Sequence, residues 1–202
     1  MPFLLTIWHQ LDRWDKYLFT KINGDWSSPA LDTFMQFMRH SVYWAPLYLF
    51  LFVFAVLNFR IRGFWWCIFF LSTIALTDMT GTYIFKHHIE RLRPCSDPAF
   101  YTQVRMVLNQ CAGGYGFISN HAANHFGMAV FFLFTFRKMA GRWVWLGIAW
   151  AALIAYAQVY VGVHYPSDVL AGACWGSLIG WATAFTFNKR FGFAIFEPQL
   201  TA

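Results

Sequence analysis

Charge is scarce in this sequence. Only 12% of its 202 residues are Asp, Glu, Lys or Arg, about half the share usual for a soluble domain. A soluble fold could not cover its surface with so few. The deficit is not that of a disordered chain, which lacks apolar residues to bury; here 58% of residues are hydrophobic and 22% aromatic. The start of the chain also lacks the basic stretch and clean apolar core of a cleaved signal peptide. The net charge of +6 raises nucleic-acid binding as a class. The charges, however, sit in short clusters between apolar runs, so no nucleic-acid partner is expected. What remains is a membrane protein of single-domain length.

A helix needs roughly 20 mostly apolar residues to cross a bilayer. Five runs approach that: 41–59, 63–85 (interrupted by Asp78), 119–136 (with His121 and His125 near its start), 143–163 and 169–188. Lipid satisfies no backbone polar group, so these runs predict helices. The expected fold is an all-α integral membrane bundle of about five transmembrane helices. Residues 1–40 differ. Leu4, Trp8, Leu11, Trp14 and Leu18 form an apolar stripe beside Asp12, Arg13, Asp15 and Lys16, the pattern of an interfacial amphipathic helix. The chain thus divides into an amphipathic segment (1–40), a membrane domain (41–188) and a cytoplasmic tail (189–202).

Seven basic residues fall in segments 60–62, 137–142 and 189–202, and eight in 1–40 and 86–118. The denser clusters at 60–62 and 137–142 mark the cytoplasmic side. Segment 86–118 then faces outward. Cys95 and Cys111 both lie in it, where an oxidising compartment would permit a bridge; the alternative is two small buried thiols. Gly172, Gly176 and Gly180 repeat every four residues, which lets another helix approach closely. Packing within the chain is the commoner use of such a stripe, and a homodimer contact the other. Tyr83, Tyr115, Tyr160 and Tyr165 fit an interfacial belt.

Ionisable groups at span ends gather in three clusters: Lys86 to Pro94, Gly116 to His121, and Gln158 to Asp168. The assumed topology puts all three at one membrane face. Lys86 and Arg93 offer a fixed charge and a guanidinium fork, which suit phosphate. Ser119 sits where a helix begins, and helix N-termini bind anions. His121 and His164 supply imidazoles able to act as acid, base or nucleophile. Asp168, four residues after His164, can orient it. Together these suggest phosphoryl transfer without a metal or other cofactor. His121, His125 and Asp168 are a poorer fit to zinc, because two helix-spaced histidines come without the Glu of a metalloprotease motif. Taken singly, Lys86, Arg91, Arg93 and Arg105 also suit interfacial anchoring to lipid headgroups. Asp78, about two helical turns before Lys86, suits a hydrogen bond to a neighbouring span.

These clusters resemble the three motifs of the type-2 phosphatidic acid phosphatase superfamily. Lys86 through Arg93-Pro94 fits the first (Lys, six residues, Arg-Pro) completely. Ile118-Ser119-Asn120-His121 matches two of four positions in the second, Pro-Ser-Gly-His. In the third (Ser-Arg, five residues, His, three residues, Asp), His164 and Asp168 fit, while Ala157-Gln158 replaces Ser-Arg. The resemblance spans roughly residues 41–188. It implies a membrane phosphatase with a phosphohistidine intermediate. His164 would be the nucleophile, Asp168 its orienting partner and His121 the acid. Lys86, Arg93 and Ser119 would hold phosphate, with Asn120 and Gln158 as candidate further donors. The implied partner is a lipid phosphate in the bilayer, at the outer face of a bacterial inner membrane. Undecaprenyl diphosphate is slightly favoured over lipid A or phosphatidylglycerol phosphate. The rival from another class is a non-catalytic phospholipid-binding or transport protein using a degenerate site.

Overall fold

Every regular element among the described residues is helical. The structure, a computed structural model, describes residues 2–193, with side chains from His9 onward. The order is α1 (Pro2–Thr20), α2 (Pro29–Arg39), α3 (Ala45–Phe59), α4 (Ile61–Thr80), the single turn α5 (His87–Ile89), α6 (Asn120–Ala140), α7 (Trp145–Tyr160) and α8 (Pro166–Arg190). A π-helical turn, Gly81–Lys86, joins α4 to α5. The tail expected over 189–202 lies, from residue 194 on, outside the described residues.

Four stretches are long and apolar enough to cross a membrane: Ser41–Phe59, Ile61–Ser96, Asn120–Tyr160 and Pro166–Arg190. Runs 119–136 and 143–163, expected as two of about five spans, both fall in the third of these stretches. That stretch folds back at Gly141, where φ is +53°. The two legs run antiparallel: Gly147 faces Ala129, and the Trp150 ring lies 5.0 Å from that of His125. Arg137, Lys138 and Arg142 crowd this turn, at the end opposite the three motifs.

α8 packs on α6 through the glycine stripe. A Cβ on Gly172 would stand 2.6 Å from the Ser119 carbonyl oxygen, and one on Gly176 or Gly180 would collide with the backbone at Ala123 or Gly127. The stripe is therefore occupied inside the chain. Two polar contacts fix the register of α4 against its neighbours: Thr73 Oγ1 to Thr183 Oγ1 at 2.7 Å and Trp66 Nε1 to Thr135 Oγ1 at 2.9 Å. Between them lies an aromatic core in which Trp66, Phe70, Phe131 and Phe187 are buried, a use of the large aromatic share. α3 buries only Ala55 and so forms the outer wall.

The N-terminal helices cap the motif-bearing end of the bundle. α1 turns Asp15 and Phe19 inward and leaves Leu11, Trp14 and Leu18 exposed. α2 starts at an N-cap, Ser28, whose hydroxyl accepts from Leu31 N, and lays Met35 and Met38 against Ile154, Ala155 and Val159. Asn23 locks the corner between them. Its side chain donates to the carbonyls of Arg105 (2.8 Å) and Tyr160 (2.7 Å) and accepts from Arg105 N (2.8 Å). Arg105 Nη1 donates to both Asp32 carboxylate oxygens, at 2.9 and 3.0 Å, and the Tyr160 hydroxyl donates to the same carboxylate at 2.7 Å. Tyr160 and Tyr165 are thus buried core residues, a correction to the interfacial belt.

Overfilling a close contact costs about 1–3 kcal/mol or more. Gly176→Val should lower the thermal midpoint in detergent by at least about 5 °C. Gly113→Ala, with open space around it, should leave it unmoved. Equal midpoints for the two variants would refute the backbone contact.

Candidate active site

His164 is presented by a turn whose shape depends on glycine. α7 ends at Tyr160, and Gly162 follows with φ +93°. A Cβ there would meet Val104 Cγ1 at 3.0 Å and the Arg105 carbonyl oxygen at 3.2 Å. The amides of Val163 and His164 both donate to the Gln158 carbonyl, at 3.2 and 3.3 Å. Pro166 then opens α8, where its missing N–H costs nothing. Asp168 caps the same helix, its Oδ2 accepting from Tyr165 N at 3.0 Å. Four residues apart on the entry to one helix, His164 Nδ1 and Asp168 Oδ2 stand 3.6 Å from each other.

Arg93 closes over the imidazole. Its Nη1 donates to His164 Nε2 at 2.9 Å and to the Val163 carbonyl at 3.1 Å, while Nε donates to the Gly114 carbonyl at 3.2 Å. A guanidinium can only donate. Nε2 must therefore carry the lone pair, and the ring proton sits on Nδ1, toward Asp168. Burial holds His164 well below the ordinary histidine range, at about 4, although Asp168 pulls the other way. The charge of Lys86, on the π-helical turn, also bears on His164. Ser119 is the N-cap of α6 and fully buried, its hydroxyl accepting from Ala122 N and its amide donating to the Asp168 carbonyl at 3.0 Å. His121, two residues on, stands where the charges of His164 and Arg93 reach it. The three clusters thus meet at one end of the bundle. The loop between the first two carries a Cys95–Cys111 disulfide with Cα atoms 5.8 Å apart.

Two candidate phosphate donors are otherwise engaged. The Asn120 side-chain nitrogen donates to Asp78 Oδ1 and Thr82 Oγ1, both at 2.9 Å, so it braces α6 against α4. This is the neighbouring-span bond expected of Asp78. Gln158 is fully buried, and its amide turns back along α7 to the Ile154 carbonyl at 3.4 Å. Its contribution to the site is the main-chain carbonyl that shapes the His164 turn. His125 donates or accepts through Nδ1 at the His121 carbonyl (2.8 Å) and through Nε2 at the Tyr48 hydroxyl (3.3 Å), the contacts of a packing histidine. Among the described residues no three His, Cys, Asp or Glu side chains gather as a metal cage.

Sequence reasoning missed one partner of the site. Arg91, read as a headgroup anchor, bridges two carboxylates: Nη1 to Asp168 Oδ1 and Nη2 to Asp15 Oδ2, both at 2.6 Å. Its guanidinium also lies over the Tyr165 ring, 4.3 Å from the centroid. Asp15 in turn accepts from Ser167 N at 2.8 Å. The only signal for this was an acid on the polar face of α1, which names no partner. Beside the tie lies an apolar groove of about 710 Å³, walled by Leu11, Trp14, Leu18, Ile89, Phe117 and Leu170.

This geometry agrees with the comparisons to known proteins. The chain is 34% identical over 170 residues to a lipid A 4'-phosphatase of Bacteroides thetaiotaomicron, covering 80% of this chain and 72% of that one. It is 32% identical over 153 residues to an undecaprenyl-diphosphatase of Sulfolobus acidocaldarius, covering 75% and 67%. The fold matches the crystal structure of a PAP2-type phosphatidylglycerolphosphate phosphatase from Bacillus subtilis with a TM-score of 0.66, 20% identity and coverage of 92% and 90%. The family model of the PAP2 superfamily matches residues 65–191, which span all three motifs. The chain belongs to the PAP2 superfamily and is a metal-independent lipid phosphate phosphatase of the membrane.

Proposed function

We propose that this enzyme removes a phosphate from a phosphorylated glycolipid of the lipid A kind, at the periplasmic face of a bacterial inner membrane. The observation that carries the chemistry is the neutral His164 held between Arg93 and Asp168. In this reading Nε2 attacks phosphorus in line. The bond from phosphorus to the lipid oxygen breaks as the N–P bond forms, and His121 protonates the departing oxygen. Asp168 stabilises the charge that the imidazole acquires, as an orienting carboxylate does in a triad. Water then attacks the phosphohistidine and gives a proton to His121. The N–P bond breaks, inorganic phosphate leaves, and both histidines return to their starting states. Lys86, Arg93 and Ser119 hold the phosphoryl oxygens throughout, the positioning and electrostatic roles that dominate such transfers.

The lipid and the orientation rest on separate observations. The groove beside Arg91 suits an acyl chain, because its walls are apolar and its floor reaches the tie to Asp168. The named activity of the Bacteroides relative favours a lipid A phosphate. Undecaprenyl diphosphate, slightly favoured by chain length alone, becomes the second reading, supported by the Sulfolobus relative. A periplasmic site fits the disulfide in its covering loop and the basic residues clustered at the opposite end.

Purified protein in detergent with EDTA should release inorganic phosphate from lipid A faster than from undecaprenyl diphosphate, phosphatidylglycerol phosphate or phosphatidic acid. His164→Ala should lower the rate at least about a thousandfold. Faster release from undecaprenyl diphosphate would replace the substrate reading. Equal rates for variant and wild type would remove His164 from the chemistry. Folded protein inert on the whole panel would favour lipid binding or transport.

The lowered pKa has its own consequence. A histidine pushed down keeps its neutral form as pH falls, so His164 Nε2 should stay unprotonated from pH 8 to pH 5. Nitrogen-15 spectra of histidine-labelled protein, assigned with His164→Ala, test this. Protonation near pH 6.5 would refute it.

A further inference from the structure

The described basic side chains at the motif end divide by whether they meet an acid. Arg91 pairs with Asp15 and Asp168, Arg105 with Asp32, Lys16 with Asp12 and Lys21 with Asp25. Arg13, Arg39, Lys86 and Arg93 have no carboxylate within 4.0 Å among the described residues, and of these Arg13 is exposed to solvent on α1. Lys86 and Arg93 belong to the first motif. Arg39 belongs to none. It is the last residue of α2.

Its surroundings make that isolation informative. Arg39 is half-buried, and its Nε is sealed from solvent with no hydrogen-bond partner. A basic residue at a helix C-terminus commonly serves the last carbonyls, but among the described residues Arg39 Nε meets no acceptor. The end of α2 is fixed in place. Met38 is buried against α7, and its carbonyl accepts from Trp44 Nε1 at 2.9 Å. Trp44 packs edge-on to Trp150 at 5.3 Å, and Trp150 to His125 at 5.0 Å. His125 lies one helical turn from His121. α2 thus ends over the side of α6 and α7 that carries His125, one turn from His121, and the Arg39 charge reaches His121 and Arg93. A guanidinium withdrawn from water beside other cations is costly unless an anion completes the set.

We propose that Arg39 is a third cation of the phosphate site, supplied by α2 in place of the arginine that Gln158 replaces in the third motif. The inference rests on the reading that His164 attacks the phosphate. The Gln158 amide points back along α7 and carries no charge. α2 restores the missing charge from another direction, on the His121 side. Residues before the first membrane span then take part in binding substrate.

The test uses the full chain in detergent and whichever lipid the panel shows to be hydrolysed fastest. It reads kcat/KM together with inhibition by inorganic phosphate. Arg39→Ala should lower kcat/KM about a hundredfold, the scale for losing one preorganised oxyanion donor. It should raise the inhibition constant for inorganic phosphate about tenfold or more. Arg39→Lys should recover part of both, and Arg39→Gln, which keeps the length without the charge, should recover neither. Arg13→Ala, an exposed arginine on α1, should match wild type. If Arg39→Ala does not fold, the Gln and Lys variants make the same comparison. Wild-type phosphate inhibition in Arg39→Gln, with His164→Ala inactive, would overturn the role of Arg39 alone. Full activity in His164→Ala would overturn the reading of the site beneath it.

Discussion

One buried carboxylate holds the catalytic end together. Asp168 accepts from the start of its own helix through Oδ2, faces His164 with the same oxygen, and takes the Arg91 fork on Oδ1. Its main-chain carbonyl receives the Ser119 amide. Residues of the second and third motifs, and the neighbour of Arg93 in the first, are therefore joined at a single residue. A fully buried charge left unpaired is destabilising by about 3–5 kcal/mol. Arg91 removes that cost for Asp168, and Asp15 removes most of it for Arg91. The network joins four chain segments far apart in sequence, at the end of the bundle where the three motifs meet. Gly116 shows how tightly the region is drawn in: a Cβ there would stand 3.2 Å from Asp168 Oδ2.

The same end contrasts two kinds of positive charge. Arg91 and Arg105 are structural, each neutralised by acids from the N-terminal helices. Among the described residues Lys86 and Arg93 form no ion pair, and Arg93 lies against the buried His164. Such a division is what an anion-binding catalytic pocket requires. An ion-paired guanidinium is held in place, whereas an unpaired cation is available to an anion. The disulfide between Cys95 and Cys111 ties the loop that carries this arrangement from Arg93 back toward Gly114, whose carbonyl orients the guanidinium.

Much of this was legible in the sequence. Apolar run length gave the helical membrane fold, because a bilayer offers the backbone no other solution. Motif spacing brought Lys86, Arg93, Ser119, His121, His164 and Asp168 to one face. The separate runs 119–136 and 143–163 correspond to α6 and α7, which fold back on each other at Gly141. What spacing could not show was any contact between distant segments. Asp15 to Arg91 and Asn23 to Tyr160 join residues 76 and 137 positions apart. An amphipathic pattern says only that a helix has a polar face. The structure turns Asp15 of that face into the protein and leaves Trp14 exposed. Gln158 and Asn120 were read by their side-chain chemistry. Their side chains are engaged elsewhere, at Ile154 and at Asp78.

The close backbone contact between α6 and α8 has a mechanical consequence. Two helices meeting through glycines have no flexible side chains between them to absorb sliding, so they act as one stiff beam. Ser119, His121 and Asp168 all ride on that beam, and His164 sits one residue before the turn that begins it. α1, by contrast, touches the beam mainly through Asp15 and Phe19. The parts that do chemistry and the parts that border the groove are thus mounted with different compliance. Substitutions at Leu11, Trp14 or Leu18 of α1 would reshape the groove without touching the packing of α6 on α8.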